Sequence, residues 1–290
     1  MNLIMIPELL AICAAILWGM QTILNRKGLL TLPVTSGLMI NLFVNTITLW
    51  SFTFIFLPSL NLDSKAIMLF ALAGAIAPFL GRLFSFESIS RIGAALTGSL
   101  MGISPLFASF TAIIFLGEKI TLLIFLGTLS IILGVGIISR MDRGSQRKFR
   151  KLYIFIPILA ALCFGLSSPI RKLGLDLLDA PILGAAIGTT TALACLTLLL
   201  TCKRKISLPI NEKGSIYFVI SGLLASFGLV FLFFALSLGT VVIVAPLIGT
   251  SPLFILLFSH VFLKGIEKVT PFLVIGAIAI VAGGALVAIG

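Results

Sequence analysis

Trp18, Gln21 and Asn25 lie three and four residues apart, so on a helix they stack along one face. An indole and two carboxamides in a row can hold a solute by hydrogen bonds against an apolar wall, or can join one helix to another; both roles are open. Asn41, Asn45 and Thr48 repeat the pattern, and interhelical joining is the commoner use of such a face. Arg82, within APFLGRLFSFE, is the charge that most needs an explanation, because an arginine at the centre of a span costs about 2.5–3.5 kcal/mol on insertion scales. Two readings account for it. The side chain snorkels to the end of its helix and pairs with Glu87, or its guanidinium binds the carboxylate or phosphate of a substrate in a cavity. Pro78, one turn earlier, opens the helix near it. Glu87 sits four residues before Arg91, which suits a helical ion pair; its other possible use is proton coupling.

These residues must be positioned by membrane helices. The chain has 290 residues, of which 60% are hydrophobic and only 10% charged, and its mean hydropathy is +1.27, a balance no soluble domain of this length holds in water. Apolar runs of roughly 20 residues, each able to cross a ~30 Å hydrocarbon layer, follow one another near 7–25, 34–57, 66–88, 92–115, 120–139, 152–172, 181–202, 214–236, 239–262 and 269–289. The expectation is an all-α integral membrane protein of ten helices, since strand-like alternation is absent and a helix satisfies its own backbone in lipid. The opening MNLIMIPE lacks the basic stretch of a signal peptide, so the first run should stay as a span, and no soluble domain is expected around the spans.

The net charge of +11 does not point to nucleic acid, because Lys and Arg cluster in short segments between the runs, the longest being RMDRGSQRKFRK at 140–151. With the N-terminus outside, one side collects Arg26, Lys27, Arg91, that linker, Lys203, Arg204, Lys205, Lys213, Lys264 and Lys268; the other keeps Lys65, Lys119, Arg171 and Lys172. The bias places the linker in the cytoplasm and both termini outside, in a cell (inner or plasma) membrane. Cys13, Cys163, Cys195 and Cys202 lack paired spacing and His260 is the single histidine, so no metal, disulfide or cofactor is expected.

The chain also repeats itself. GISPLF at 102–107 returns as GTSPLF at 249–254, WGMQTILNRKGL (18–29) matches FGLSSPIRKLGL (164–175), and FLGEKIT (115–121) matches FLKGIEKVT (262–270). The spacing from Gly19 to Pro105 and that from Gly165 to Pro252 differ by one residue, so whole halves are duplicated, as 1–140 and 152–290 around a basic linker, 141–151. Five spans per half is an odd number, which inverts the second copy, and inverted halves suit alternating access around one midplane site. By the same matching Ser167 and Ser168 stand where Gln21 and Thr22 stand, and are nominated as a second wall. Proline in mid-span should kink the fourth and ninth runs, Pro105 freeing the carbonyl of Met101 and Pro252 that of Ile248, with the preceding serines re-satisfying the backbone; the prolines serve as pivots or only shape packing. Gly127 and Gly134, with Gly276, Gly283 and Gly284, suggest a close, static helix contact.

The paired halves, with LWG at 17–19, the two SPLF segments and LGE at 116–118 before Gly127 and Gly134, resemble the EamA-type carriers of the drug/metabolite transporter superfamily over nearly the whole chain. The resemblance implies a ten-helix carrier of small organic solutes, often an exporter, with a central cavity lined by spans 1, 3, 4, 6, 8 and 9. Lys264, Gly265 and Ile266 interrupt the second Leu-Glu pair, so Glu267 departs from Glu118. An enzyme would need clustered nucleophile, base or metal ligands, which nine acids and one histidine do not supply. A channel would need charge rings or a carbonyl filter. The expectation is a secondary transporter of amino-acid-like or related amphipathic metabolites with the lipid bilayer as surroundings; a flippase for a lipid-linked solute is the alternative. No phosphate-binding G-x-x-x-x-G-K-[ST] loop is present, and oligomeric state and substrate identity are not legible.

Overall fold

With no water in lipid to satisfy a peptide group, each apolar run closes its hydrogen bonds on itself as a helix. A computed structural model of the chain describes residues 6–56, 63–117, 121–141, 151–202 and 213–264, with 275–276, 278–280, 282–283 and 285–286 beyond them. Glu118, Glu267, Gly284, linker residues 142–150 and much of the last expected span lie outside the described residues. The helices are α1 (Ile6–Gly28), α2 (Val34–Phe56), α3 (Ser64–Gly74), α4 (Arg82–Ile92), α5 (Ala94–Met101), α6 (Ser104–Leu116), α7 (Leu122–Met141), α8 (Phe155–Leu177), α9 (Pro181–Cys202), α10 (Lys213–Leu238), α11 (Val241–Ile248) and α12 (Ser251–Phe262). Taken as continuous runs, eight of them are long and apolar enough to cross a membrane among the described residues, and the apolar part of α7, Leu122–Gly134, is shorter. Phe54, Met68, Phe110, Leu122 and Leu198 are 65–77% exposed, which water would penalise and lipid tails solvate.

Three places depart from regular helix, each traceable to sequence. Between α3 and α4 a π-helical stretch, Ala75–Gly81, carries Pro78. Proline cannot donate to the residue four back, the turn widens, and the Arg82 amide reaches five back to Ala77. Between α4 and α5 the chain turns at Gly93, whose φ of 93° and ψ of 170° suit glycine alone.

The third departure is doubled. The fourth and ninth runs are broken rather than kinked: α5 stops at Met101, Gly102 and Ile103 lie at φ, ψ of −59°, −8° and −79°, −6°, and α6 starts at Ser104. In the second half α11 stops at Ile248, Gly249 and Thr250 lie at −59°, −9° and −77°, −8°, and α12 starts at Ser251. Pro105 and Pro252 therefore sit in a first helical turn, where a missing donor costs nothing. It is the Thr250 hydroxyl, not Ser251, that donates across the second break, to the Leu247 carbonyl at 2.6 Å.

The halves pack through reciprocal contacts. Gly28 and Gly37 clasp the Phe218 ring, and Gly174 and Gly184 clasp Phe70. Gly74 lies on the Gly188 backbone, and Gly222 on that of Asn41. Gly19 receives Phe254 from α12, while Gly165 receives Phe107 from α6; Gly134 meets Gly276, while Gly283 meets Gly127. Each contact recurs with the halves exchanged, which is the pattern of a two-fold interface. At Gly19, Gly74, Gly165 and Gly283, among others, a Cβ would intrude on the partner, so the small residue is what permits the approach.

Candidate functional site

The two broken runs meet at the centre of the molecule, where Gly249 packs on Pro105. Around that meeting lies a cavity of about 130 Å³, several times the ~10–15 Å³ a single water needs. Its walls come from α1, the π stretch with α4, α5 with α6, α8, α10, and α11 with α12, the same six spans that the family resemblance implies.

Trp18, Gln21 and Asn25 reach it from α1, as their shared helix face requires. Asn25 lines the cavity and is 2% exposed, and its Oδ1, covered by protein, has no hydrogen-bond partner. Arg82 lines the cavity from α4 and is 6% exposed. It does not snorkel to Glu87. Its Nη1 donates to Asn41 Oδ1 at 3.0 Å, and Asn41 Nδ2 donates to Ser221 Oγ at 2.8 Å, so the guanidinium is aimed by a carboxamide that α10 holds. Asn45 completes that joint, donating to Ser226 Oγ at 3.1 Å and to the Gly222 carbonyl at 3.3 Å. Span 2 thus uses its polar face to bind α10 and position Arg82.

Glu87 forms an ion pair with Arg91, and neither lines the cavity. Ser168 lines it; Ser167, fully buried, does not. Where Gln21 is long enough to reach inward, the short Ser167 side chain turns back to its own helix and donates to the Phe164 carbonyl at 3.0 Å. Pro105 and Pro252 are buried behind the wall, and the broken runs present Gly102, Ser104, Gly249 and Ser251 to the cavity instead. Thr189, Thr190 and Thr191 bond back to their own helix, and His260 is exposed near the end of α12.

One charged cavity residue was missed by the sequence reading. Arg171, assigned there to the outer charge set with Lys172, is 3% exposed, lines the cavity, and holds its guanidinium 5.5 Å from the centre of the Phe233 ring, within cation–π reach. The signal was present: the match of the halves puts Arg171 over Asn25. Its neighbour Lys172 does stay at the surface side, paired with Asp176 at 3.2 Å. Two arginines therefore face one cavity, no aspartate or glutamate lines it, and among the described residues neither has a carboxylate within ion-pair distance.

A helical membrane body whose central cavity is framed by broken helices and carries a few polar side chains in an apolar wall has the build of a solute transporter. The chain belongs to the EamA-like transporter family, whose model matches it twice, over residues 5–140 and 151–289. It is 22% identical over 277 residues to an uncharacterized transporter of Archaeoglobus fulgidus, across 96% of both chains. Its fold also resembles a crystal structure with a TM-score of 0.77 at 16% identity, covering 97% of this chain and 95% of that one.

Proposed function

We propose that the protein is a secondary transporter which moves small organic metabolites, amino-acid-like or related amphipathic solutes, out of the cell by alternating access. The observation that carries this reading is the cavity itself: both duplicated halves wall it, and both contribute a broken helix to it. In this reading each half, 1–140 and 152–290, supplies five spans, the second inverted relative to the first. The cavity then opens to one side or the other while Gln21, Asn25, Arg82 and Arg171 keep hold of the solute. Drive comes from gradients or from another subunit.

The membrane is the cell membrane, with the basic linker inside and both termini outside. Moving Arg171 from the outer charge set into the cavity leaves the outer side less basic, in keeping with that orientation. A reporter active only in the cytoplasm, fused at Gly290, should be silent; activity there would reverse the topology.

The transport test is counterflow in liposomes that contain the purified chain and no lipid-linked carrier. Exchange of a water-soluble metabolite across the bilayer supports the proposal. Movement of lipid-linked solutes alone would make the protein a flippase.

A further inference from the structure

The cavity carries a charge imbalance that amino-acid-like substrates in general do not explain. Arg82 and Arg171 come from different halves and converge on the same space, and the other lining residues are neutral. Like charges facing each other across so small a volume repel, and burial deprives them of the water that would screen them. The structure offsets each only in part. Arg82 spends one donor on Asn41 and Arg171 lies on a ring face, which leaves most of the ten N–H donors of two guanidinium groups unused by protein. A neutral or zwitterionic solute would leave the pair uncompensated. A single carboxylate would neutralise one.

We infer that the solute is a small dicarboxylate whose backbone also bears a hydroxyl, the pattern of a hydroxy-dicarboxylate. This deepens the transporter reading and rests on it for the word substrate, though binding can be tested without transport. One carboxylate meets the planar fork of Arg82, which Asn41 fixes in direction, and the other meets Arg171. The hydroxyl between them meets the carboxamide of Asn25, which lines the cavity one helical turn from Gln21. Trp18, Phe86 and Phe164 close around the short carbon chain.

Affinities for aspartate, malate, succinate, alanine and glycerol 3-phosphate, measured by calorimetry on the detergent-purified full chain, test this. Malate should bind tightest, succinate about 5-fold weaker for want of the hydroxyl, aspartate weaker than malate because its ammonium adds a positive charge between the arginines, and alanine at least tenfold weaker than malate. Arg82→Gln and Arg171→Gln should each weaken malate by roughly 10–150-fold, the range of a lost charge-assisted hydrogen bond, while changing alanine by under about 3-fold. Arg82→Lys and Arg171→Lys keep the charge without the fork and should fall between, which separates recognition from a failure to fold; the melting temperature of each unliganded variant guards the same point. Alanine binding as tightly as malate, or malate binding unchanged in both glutamine variants, overturns the inference. Tightest binding by glycerol 3-phosphate also overturns it, because one phosphate would then bridge both arginines. The two readings fail separately: dicarboxylate binding without movement in liposomes removes the transporter, and movement of alanine that ignores both arginines removes the dicarboxylate.

Discussion

Phe218 is held on two sides by glycines, and that geometry fixes what a single methyl group should do. The ring is fully buried, stacks on Phe86 with centroids 6.0 Å apart, and is clasped between Gly28 and Gly37. A Cβ at position 37 would enter the ring's edge, and the ring has no free direction to leave, so Gly37→Ala should destabilise by the ~1–3 kcal/mol typical of overpacking. Phe218→Leu alone should cost less than it would in a soluble core. The unfolded helices remain in an apolar environment, so the transfer term largely drops out and the cavity term remains: roughly 25 Å³ at ~24 cal/mol per Å³ gives about 0.6 kcal/mol. In the double variant the new methyl occupies the space the ring gave up. Its loss should be near that of Phe218→Leu alone, so the two changes should couple by at least about 1 kcal/mol. Equilibrium unfolding in mixed detergent measures all three. Strict additivity would refute the claim that the ring and the glycine share one space, and with it the packing account of the reciprocal contacts.

Replacing Pro105 and Pro252 together by alanine should leave a folded protein with slower transport, since both sit in a first helical turn where proline is dispensable for folding; unchanged turnover in liposomes would reduce them to packing residues. A double-mutant cycle of Asn41→Ala with Ser221→Ala should give a coupling of ~0.6 kcal/mol, at most about 1.7, the range measured for hydrogen bonds between membrane helices, and zero coupling would dissolve the joint between α2 and α10. Glu87→Gln should change stability by under about 1 kcal/mol, because its ion pair with Arg91 is partly exposed, and should leave the pH profile of transport unchanged. A shifted profile would assign Glu87 to coupling.

How far the sequence could be read follows from which interactions are local. Helical spacing alone sets Trp18, Gln21 and Asn25 on one helix face, while what that face meets depends on the other helices. The interruptions at the SPLF segments were legible because glycine and proline act within a turn, though a kink and a full break differ by two residues' dihedrals that only tertiary packing selects. Arg82 was legible as costly, but its partner was not: Glu87 is near in sequence, while Asn41 arrives from another helix. Arg171 was concealed by Lys172, which made the pair look like a basic end of a span, even though the matched halves set it over Asn25. Ser167 was nominated by position, and side-chain length overruled it.

The seats that the glycines provide also bear on how the protein is made. Gly19 is filled by Phe254, and Gly28 and Gly37 by Phe218, so α1 and α2 leave the ribosome carrying sites whose occupants are synthesised well after them. At ~5–20 residues per second the interval from position 19 to position 254 is roughly 12–50 s. For that time α1 and α2 stand in the bilayer with notched, unfilled faces, and they are open to mispairing with any small-residue surface they meet. A lesion in α10 or α12 is therefore a lesion in the maturation of α1, and a chain truncated before them should be cleared by the cell's quality control even though its own first half carries no error.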